Sequence, residues 1–127
     1  MGAEWEIADA WVFAAVSGSG PEDGGTLARV IGAADGINHA ILTEDEFVRA
    51  VPRLVAAGLI GADAAADRYW HTAAGRAIAE RWHRRGLFAW AEVVPPALRG
   101  TGEPAGGSFA LPAGAFAAAV REYLSAG

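Results

Sequence analysis

Few side chains in this sequence have both the type and the spacing that catalysis or metal binding requires. The histidines at positions 39, 71 and 83 are far apart, and cysteine is absent, so a zinc site of the usual ligand spacing is not encoded. The acidic run at 44–46 suits the first turn of a helix, where carboxylates favour the positive end of the dipole. We therefore predict no catalytic residue, no metal and no cofactor, and we do not expect an enzyme.

One polar cluster stands apart from these residues. Asp35, Asn38 and His39 lie between apolar residues in the stretch AADGINHAI, near the predicted junction of the second and third helices. One interpretation is a ligand pocket or a polar switch, since a partly buried histidine can titrate near neutral pH. The other is that Asn38 and His39 form hydrogen bonds with local backbone at a helix end. The sequence leaves both open.

The elements that position these residues are predicted from apolar spacing and from caps. Threonines with the pattern of N-caps precede three helices, and Thr43 with Glu46 forms a capping box. The predicted helices cover about 4–16, 27–40, 44–57 and 73–85, and the two strands lie at 59–60 and 68–71. Gly58 has the position of a helix-ending residue. Pro52 conflicts with the third helix, but the apolar spacing continues through it.

The C-terminal third is expected to add two helices to this arrangement. Residues 87–94 are apolar on nearly every side, and such a helix is buried in a core or against a partner. We expect Pro95 and Pro96 to end it. Pro112 would then open the last helix. The predicted division is a domain at 1–98, a loop at 99–111 and a C-terminal helix at 112–127 that packs on the same domain. We predict a homodimer in which Phe88 and Trp90 lie at the subunit contact.

A core beneath the two strands follows from the helix faces. Leu54, Leu59, Ile78 and Trp82 are expected to pack together, because both helices turn these residues toward the same strands.

The order capped helix, strand, turn, strand, capped helix is encoded by TEDEFVRAVPRLVAAGLIGADAAADRYWHTAAGRAIAERWHRR at 43–85. This stretch resembles the recognition helix and wing of winged helix-turn-helix proteins of the MarR-like and PadR-like type. The resemblance implies a mostly α fold with a small two-stranded β-wing and extra C-terminal helices, and in such families the added helices often form a dimer. It does not imply one function, because many winged helices bind protein rather than DNA.

The resemblance also indicates which residues would contact double-stranded DNA. Arg49 and Arg53 on the third helix lie four residues apart and are expected to share an exposed face, and Arg68 lies on the wing. The alternative for Arg49 is an ion pair with Asp45 or Glu46 in its own helix. The acids at the start of this helix would repel phosphates.

Composition limits the function classes without choosing between them. The 127 residues carry a net charge of −5, and residues 1–26 contain five acids and no base, so the basic footprint of a dedicated DNA-binding protein is not evident. No apolar run is long enough to span a bilayer, and we expect a cytoplasmic protein. The leading hypothesis is a DNA-binding or transcription-regulator-like protein. The alternative is a winged-helix module that binds a protein partner and not DNA.

Overall fold

The computed structural model describes residues 4–126, and most of them are helical. The α-helices are α1 (Ile7–Ala15), α2 (Leu27–Asn38), α3 (Glu44–Ala56), α4 (Ala73–Arg85), α5 (Trp90–Arg99) and α6 (Ala115–Ala126). The strands are β1 (Ile60–Asp63) and β2 (Arg68–His71), and a 3₁₀ turn covers Leu87–Ala89. The predicted class, mostly α with a small two-stranded sheet, is confirmed.

Side-chain caps begin the helices where the sequence predicts them. The hydroxyl oxygens of Thr26, Thr43 and Thr72 accept hydrogen bonds from backbone N–H groups three residues later. Glu46 completes the capping box by accepting from the backbone N–H of Thr43 at 2.9 Å. Gly58 follows the last turn of α3 with φ of 76°, a left-handed conformation that costs glycine little.

The two strands form an antiparallel hairpin that pairs Ile60 with His71 and Asp63 with Arg68. The first strand therefore extends further into the segment predicted as a wing tip, and the turn is only residues 64–67. Gly25 forms an antiparallel bridge with Tyr69 on the other edge of β2, so the segment between α1 and α2 extends the sheet.

One apolar core connects the elements. Helix α1 packs against α2, α3 and α5, and it contributes a nearly continuous run of buried residues from Ala10 to Ala15. The residues predicted to form the core beneath the strands are all buried in this cluster: Leu54, Leu59, Ile78 and Trp82.

Two prolines that we expected to end a helix lie inside α5. Pro95 and Pro96 each lack a backbone donor, yet the helix continues to Arg99, so the predicted end is wrong. Val94 and Leu98 flank the prolines and are fully buried. Burial of these side chains against the core outweighs the lost hydrogen bonds. Helix α3 likewise continues through Pro52.

The last helix begins later than predicted. Pro112 precedes a turn at 113–114, and α6 starts at Ala115 after Gly114, whose φ is 76°. Helix α6 packs against α2, where the Tyr123 hydroxyl donates to the carboxylate of Asp35 at 2.6 Å.

Candidate functional site

The predicted DNA-contacting residue Arg53 does not lie on an exposed face. Its side chain is buried beneath α1, and its Nη1 donates to Oδ2 of Asp9 and to the carbonyl oxygen of Glu4, both at 3.0 Å. The expectation that Arg49 and Arg53 share an exposed face is therefore wrong. Helix α3 turns Arg53 inward because the N-terminal turn of α1 provides a buried carboxylate for it.

The carboxylate of Asp9 is the partner that stabilises the buried guanidinium of Arg53. It is 1% exposed, and its Oδ2 also accepts the backbone N–H of Glu6 at 2.8 Å. Burial raises the pKa of the Asp9 carboxyl, because desolvation outweighs the hydrogen bond from Glu6 and the attraction of Arg53. The Asp9–Arg53 pair thus joins α1 to α3 and is a structural element of the core.

Arg49 is exposed, but its guanidinium is also directed toward α1. Its Nε lies 3.1 Å from Oε1 of Glu6, rather than next to Asp45 or Glu46 of its own helix. Glu44 and Asp45 at the start of α3 are exposed. The outward part of α3 therefore presents carboxylates, while both of its arginines pair with the N-terminal turn of α1.

Arg68 lies in the hairpin between two carboxylates. It is half-buried, and its Nη1 donates to the backbone carbonyl of Asp67 at 2.9 Å. Asp63 and Asp67 flank the turn, and the carboxylate of Asp67 accepts from the backbone N–H of Leu27 at 2.8 Å. Residues 44–71 hold five carboxylates and three arginines, so the net charge of α3 and the hairpin is −2.

The C-terminal loop, residues 100–114, covers part of α3. The ring of Phe109 lies 6.1 Å from Phe47 and 6.3 Å from Tyr69, between ring centroids, and Gly107 lies against Pro52. The Tyr69 hydroxyl is buried and has no hydrogen-bond partner within residues 4–126. Burial raises the pKa of this phenol. The loop therefore packs on the buried rings of Phe47 and Tyr69 and on the side of α3 that carries Pro52.

Asp35, Asn38 and His39, the polar cluster at the end of α2, have different surroundings and do not form one site. Asp35 accepts from Tyr123, and this hydrogen bond raises the pKa of the tyrosine. Asn38 is exposed, and His39 ends α2 in a left-handed conformation with φ of 54°. The backbone N–H of His39 donates to the carbonyl of Asp35 at 2.7 Å. This geometry supports the helix-end interpretation for His39.

His71 is the buried histidine of the hairpin. Its Nε2 lies 2.8 Å from the carbonyl oxygen of Phe13, and its ring packs 4.5 Å from the Phe13 ring. Burial lowers the pKa of His71, the hydrogen bond to the Phe13 carbonyl opposes this shift, and the neighbouring His83 and Arg76 side chains add to it. The ring Nε2 donates its hydrogen bond to α1.

The two aromatic residues predicted at a subunit contact lie in different environments. Trp90 is 5% exposed, and its Nε1 donates to the carbonyl of Ile37 at 3.1 Å, so it packs in its own core. Phe88 is 62% exposed, and Leu87 is 54% exposed beside it. The subunit contact stays a prediction, and Phe88 is the residue that remains accessible for it.

A groove of about 740 Å³ runs between α4 and α5. Its lining is apolar at Leu59, Ile78 and Val93, and arginines line it at Arg81 and Arg85. At one end Arg85 pairs with Glu92, with Nη2 and Oε2 3.0 Å apart. Residues 73–89 contain four arginines and one glutamate, a net charge of +3, so the basic surface lies on α4 rather than on α3.

No family model, curated protein or solved structure matches the chain. The resemblance to MarR-like and PadR-like proteins therefore rests on the residues at 43–85. The described range, 4–126, contains no group of three or more side chains that could hold a metal ion. In that range no helix is long and apolar enough to cross a membrane.

Sequence reasoning missed Asp9 and the groove. Asp9 was one of five N-terminal acids, although its place inside the apolar run IADAWVFAAV was a signal of a buried carboxylate that needs a cation. Arg81 and Arg85 suit the C-terminal turns of a helix in any fold. Only the approach of α5 makes them the wall of a groove.

Proposed function

We propose that this chain is a winged-helix-type module that binds a protein partner rather than DNA. The order α1, the Gly25 bridge, α2, α3, hairpin and α4 supports the winged-helix assignment, since it contains the helix and wing of that fold in the expected order. The observation that carries the choice of partner is the placement of the α3 arginines. Arg53 is buried on Asp9 and Arg49 pairs with Glu6, which leaves carboxylates at the outward start of α3.

Electrostatics is the reason that this placement favours a protein partner over DNA. Phosphate contacts supply most of non-specific DNA binding, and they need arginine or lysine free of other partners. The net charge of −2 across α3 and the hairpin opposes the approach of a polyanion. The exposed Leu87 and Phe88 suit a protein interface better than a nucleic acid.

A salt-dependent binding assay with random duplex DNA tests the proposal. At physiological salt we expect a Kd weaker than about 10⁻⁴ M, the weak end of non-specific binding. Replacing Glu44 by glutamine and Asp45 by asparagine should strengthen binding at low salt, because two repulsions with phosphate are removed.

The DNA-binding alternative makes an opposite prediction in the same assay. Binding tighter than about 10⁻⁶ M at physiological salt would overturn the proposal. The slope of the logarithm of the binding constant against the logarithm of the salt concentration would then decrease in magnitude by about one unit in Arg49→Gln or Arg68→Gln, if α3 and the hairpin contact phosphates. A slope that falls only in Arg81→Gln and Arg84→Gln would instead place the DNA on α4, and it would equally overturn the proposal.

A further inference from the structure

We propose that the α4–α5 groove binds an acidic peptide segment of a partner protein, whose apolar side chains contact the groove floor. This inference rests on the proposed function and names both the surface and the chemistry of the partner. The groove is lined by one face of α4, one face of α5 and short stretches of the segments before β1 and after α5.

The floor has the size and character of a peptide site. Leu59 and Ile78 are buried beneath it, and Val93 and Ala97 of α5 are half-buried along its side. The α4 wall runs from Ala74 to Arg85, which at 1.5 Å per residue is about 16 Å. That length accommodates about three helical turns or five extended residues. A helix or strand with apolar residues on one face would cover the floor.

The rim determines the charge of the occupant. Arg81 and Arg85 are four residues apart, so they lie on the same face of α4 and both line the groove. Arg81 forms no ion pair with any residue between 4 and 126, whereas Arg85 is paired with Glu92. Carboxylates of a partner would pair with Arg81 and could replace Glu92 on Arg85. The charged residues that line the groove, Arg81, Arg85 and Glu92, give it a net charge of +1 on a helix and turn, residues 73–89, that carry +3, and this charge favours an acidic segment.

Two exposed apolar side chains follow the end of α4 that bears Arg85, outside the lining of the groove. Leu87 and Phe88 are exposed just beyond Arg85, and the indole Nε1 of Trp82 donates to the carbonyl of Leu87 at 2.8 Å, which holds this turn in place. Basic residues beside exposed apolar side chains also occur on proteins that bind anionic membranes. The concave floor between α4 and α5 favours a peptide, because a bilayer surface cannot enter a groove.

Selection from a random dodecapeptide library displayed on phage, with the full chain as bait, tests this inference. We expect the selected peptides to combine Asp or Glu with Leu, Ile or Phe. Synthetic copies should bind the parent in fluorescence anisotropy, with an affinity that falls as salt rises. Arg81→Glu should weaken binding about tenfold or more, since it places like charges opposite each other. The matched control is Arg29→Glu on α2, which makes the same charge change away from the groove and should bind like the parent.

The outcomes separate this inference from the proposed function. Acidic peptides that lose affinity in Arg81→Glu but not in Arg29→Glu support the groove. Peptides that bind both variants equally well, or that are basic, overturn the groove and leave a protein-binding module. If no peptide is selected and the protein co-sediments with vesicles of equal parts phosphatidylcholine and phosphatidylserine, the peptide groove is overturned in favour of a membrane surface. Self-association in sedimentation that is lost in Arg81→Glu also overturns the peptide groove, because a second copy of the chain would then occupy it. Circular dichroism of both variants checks that they are folded.

Discussion

At the scale of single residues, the Asp9–Arg53 pair is the interaction on which the joint between α1 and α3 depends. Arg53→Met should lower the free energy of unfolding by about 3–5 kcal/mol at neutral pH, because it leaves Asp9 buried without its cation. Arg49→Met is the control. Its pair with Glu6 is exposed, and its loss should cost about 1 kcal/mol or less. Urea denaturation measures both, and equal small losses would mean that Arg53 is solvated.

His71 gives stability a dependence on pH. Burial lowers the pKa of the folded histidine, whereas in the unfolded chain it stays near 6.5. The unfolded state therefore binds the proton first. Stability is fully present above about pH 6.5 and falls as the pH decreases below it, with a slope of up to about 1.4 kcal/mol per unit.

His71→Gln should flatten this loss between about pH 6.5 and 5.5, the window set by the ordinary histidine pKa. His39→Gln is the matched control, because His39 is exposed and is not among the groups that shift the pKa of His71. Urea denaturation at several pH values makes the comparison. A loss that persists in His71→Gln and vanishes in His39→Gln would contradict the assignment.

At the scale of elements, close packing of α4 on the chain before β1 depends on one glycine. A Cβ at Gly75 would collide with the carbonyl oxygen of Leu59, so Gly75→Ala should cost about 1–3 kcal/mol by overpacking. Gly36 in α2 faces open space, and Gly36→Ala should stabilise the protein by about 0.5–1 kcal/mol through helix propensity. Thermal unfolding of the two variants should shift in opposite directions. An unchanged or raised melting temperature in Gly75→Ala would mean that α4 is not in contact with Leu59.

At the scale of the whole molecule, we expect Trp90 to contribute to the stability of the fold and Phe88 to contribute to association between copies. Trp90→Ala should cost about 3–5 kcal/mol, because the indole is in the core and bonded to Ile37. Phe88→Ala should leave stability nearly unchanged. In sedimentation at high micromolar concentration, the homodimer predicted from the sequence should dissociate in Phe88→Ala. A parent chain that stays monomeric there rules the homodimer out.

The distribution of charge is also a property of the whole molecule. The net charge is −5, yet α3 with the hairpin carries −2 and residues 73–89 carry +3. An acidic partner would therefore be attracted toward α4 and repelled from α3. This uneven distribution of charge connects the proposed protein-binding function with the α4–α5 groove, because each proposal expects the partner on the side of α4.

The elements that depend on local interactions could be predicted from the sequence. The threonine caps, the capping box of Thr43 and Glu46, and the left-handed Gly58 all form through neighbours in the chain, so their spacing was sufficient to predict them. The apolar spacing of α3 and α4 likewise identified Leu54 and Ile78 as core.

Features that depend on contacts between distant segments could not be predicted from the sequence. Arg53 is buried because Asp9, 44 positions earlier, reaches it, and helical spacing alone does not show which side of α3 meets α1. Helix α5 continues through two prolines because Val94 and Leu98 are buried, a gain that local propensity does not contain. The groove exists because α5 returns along α4. The arginines that line it have positions in the sequence that are ordinary for the C-terminal turns of any helix.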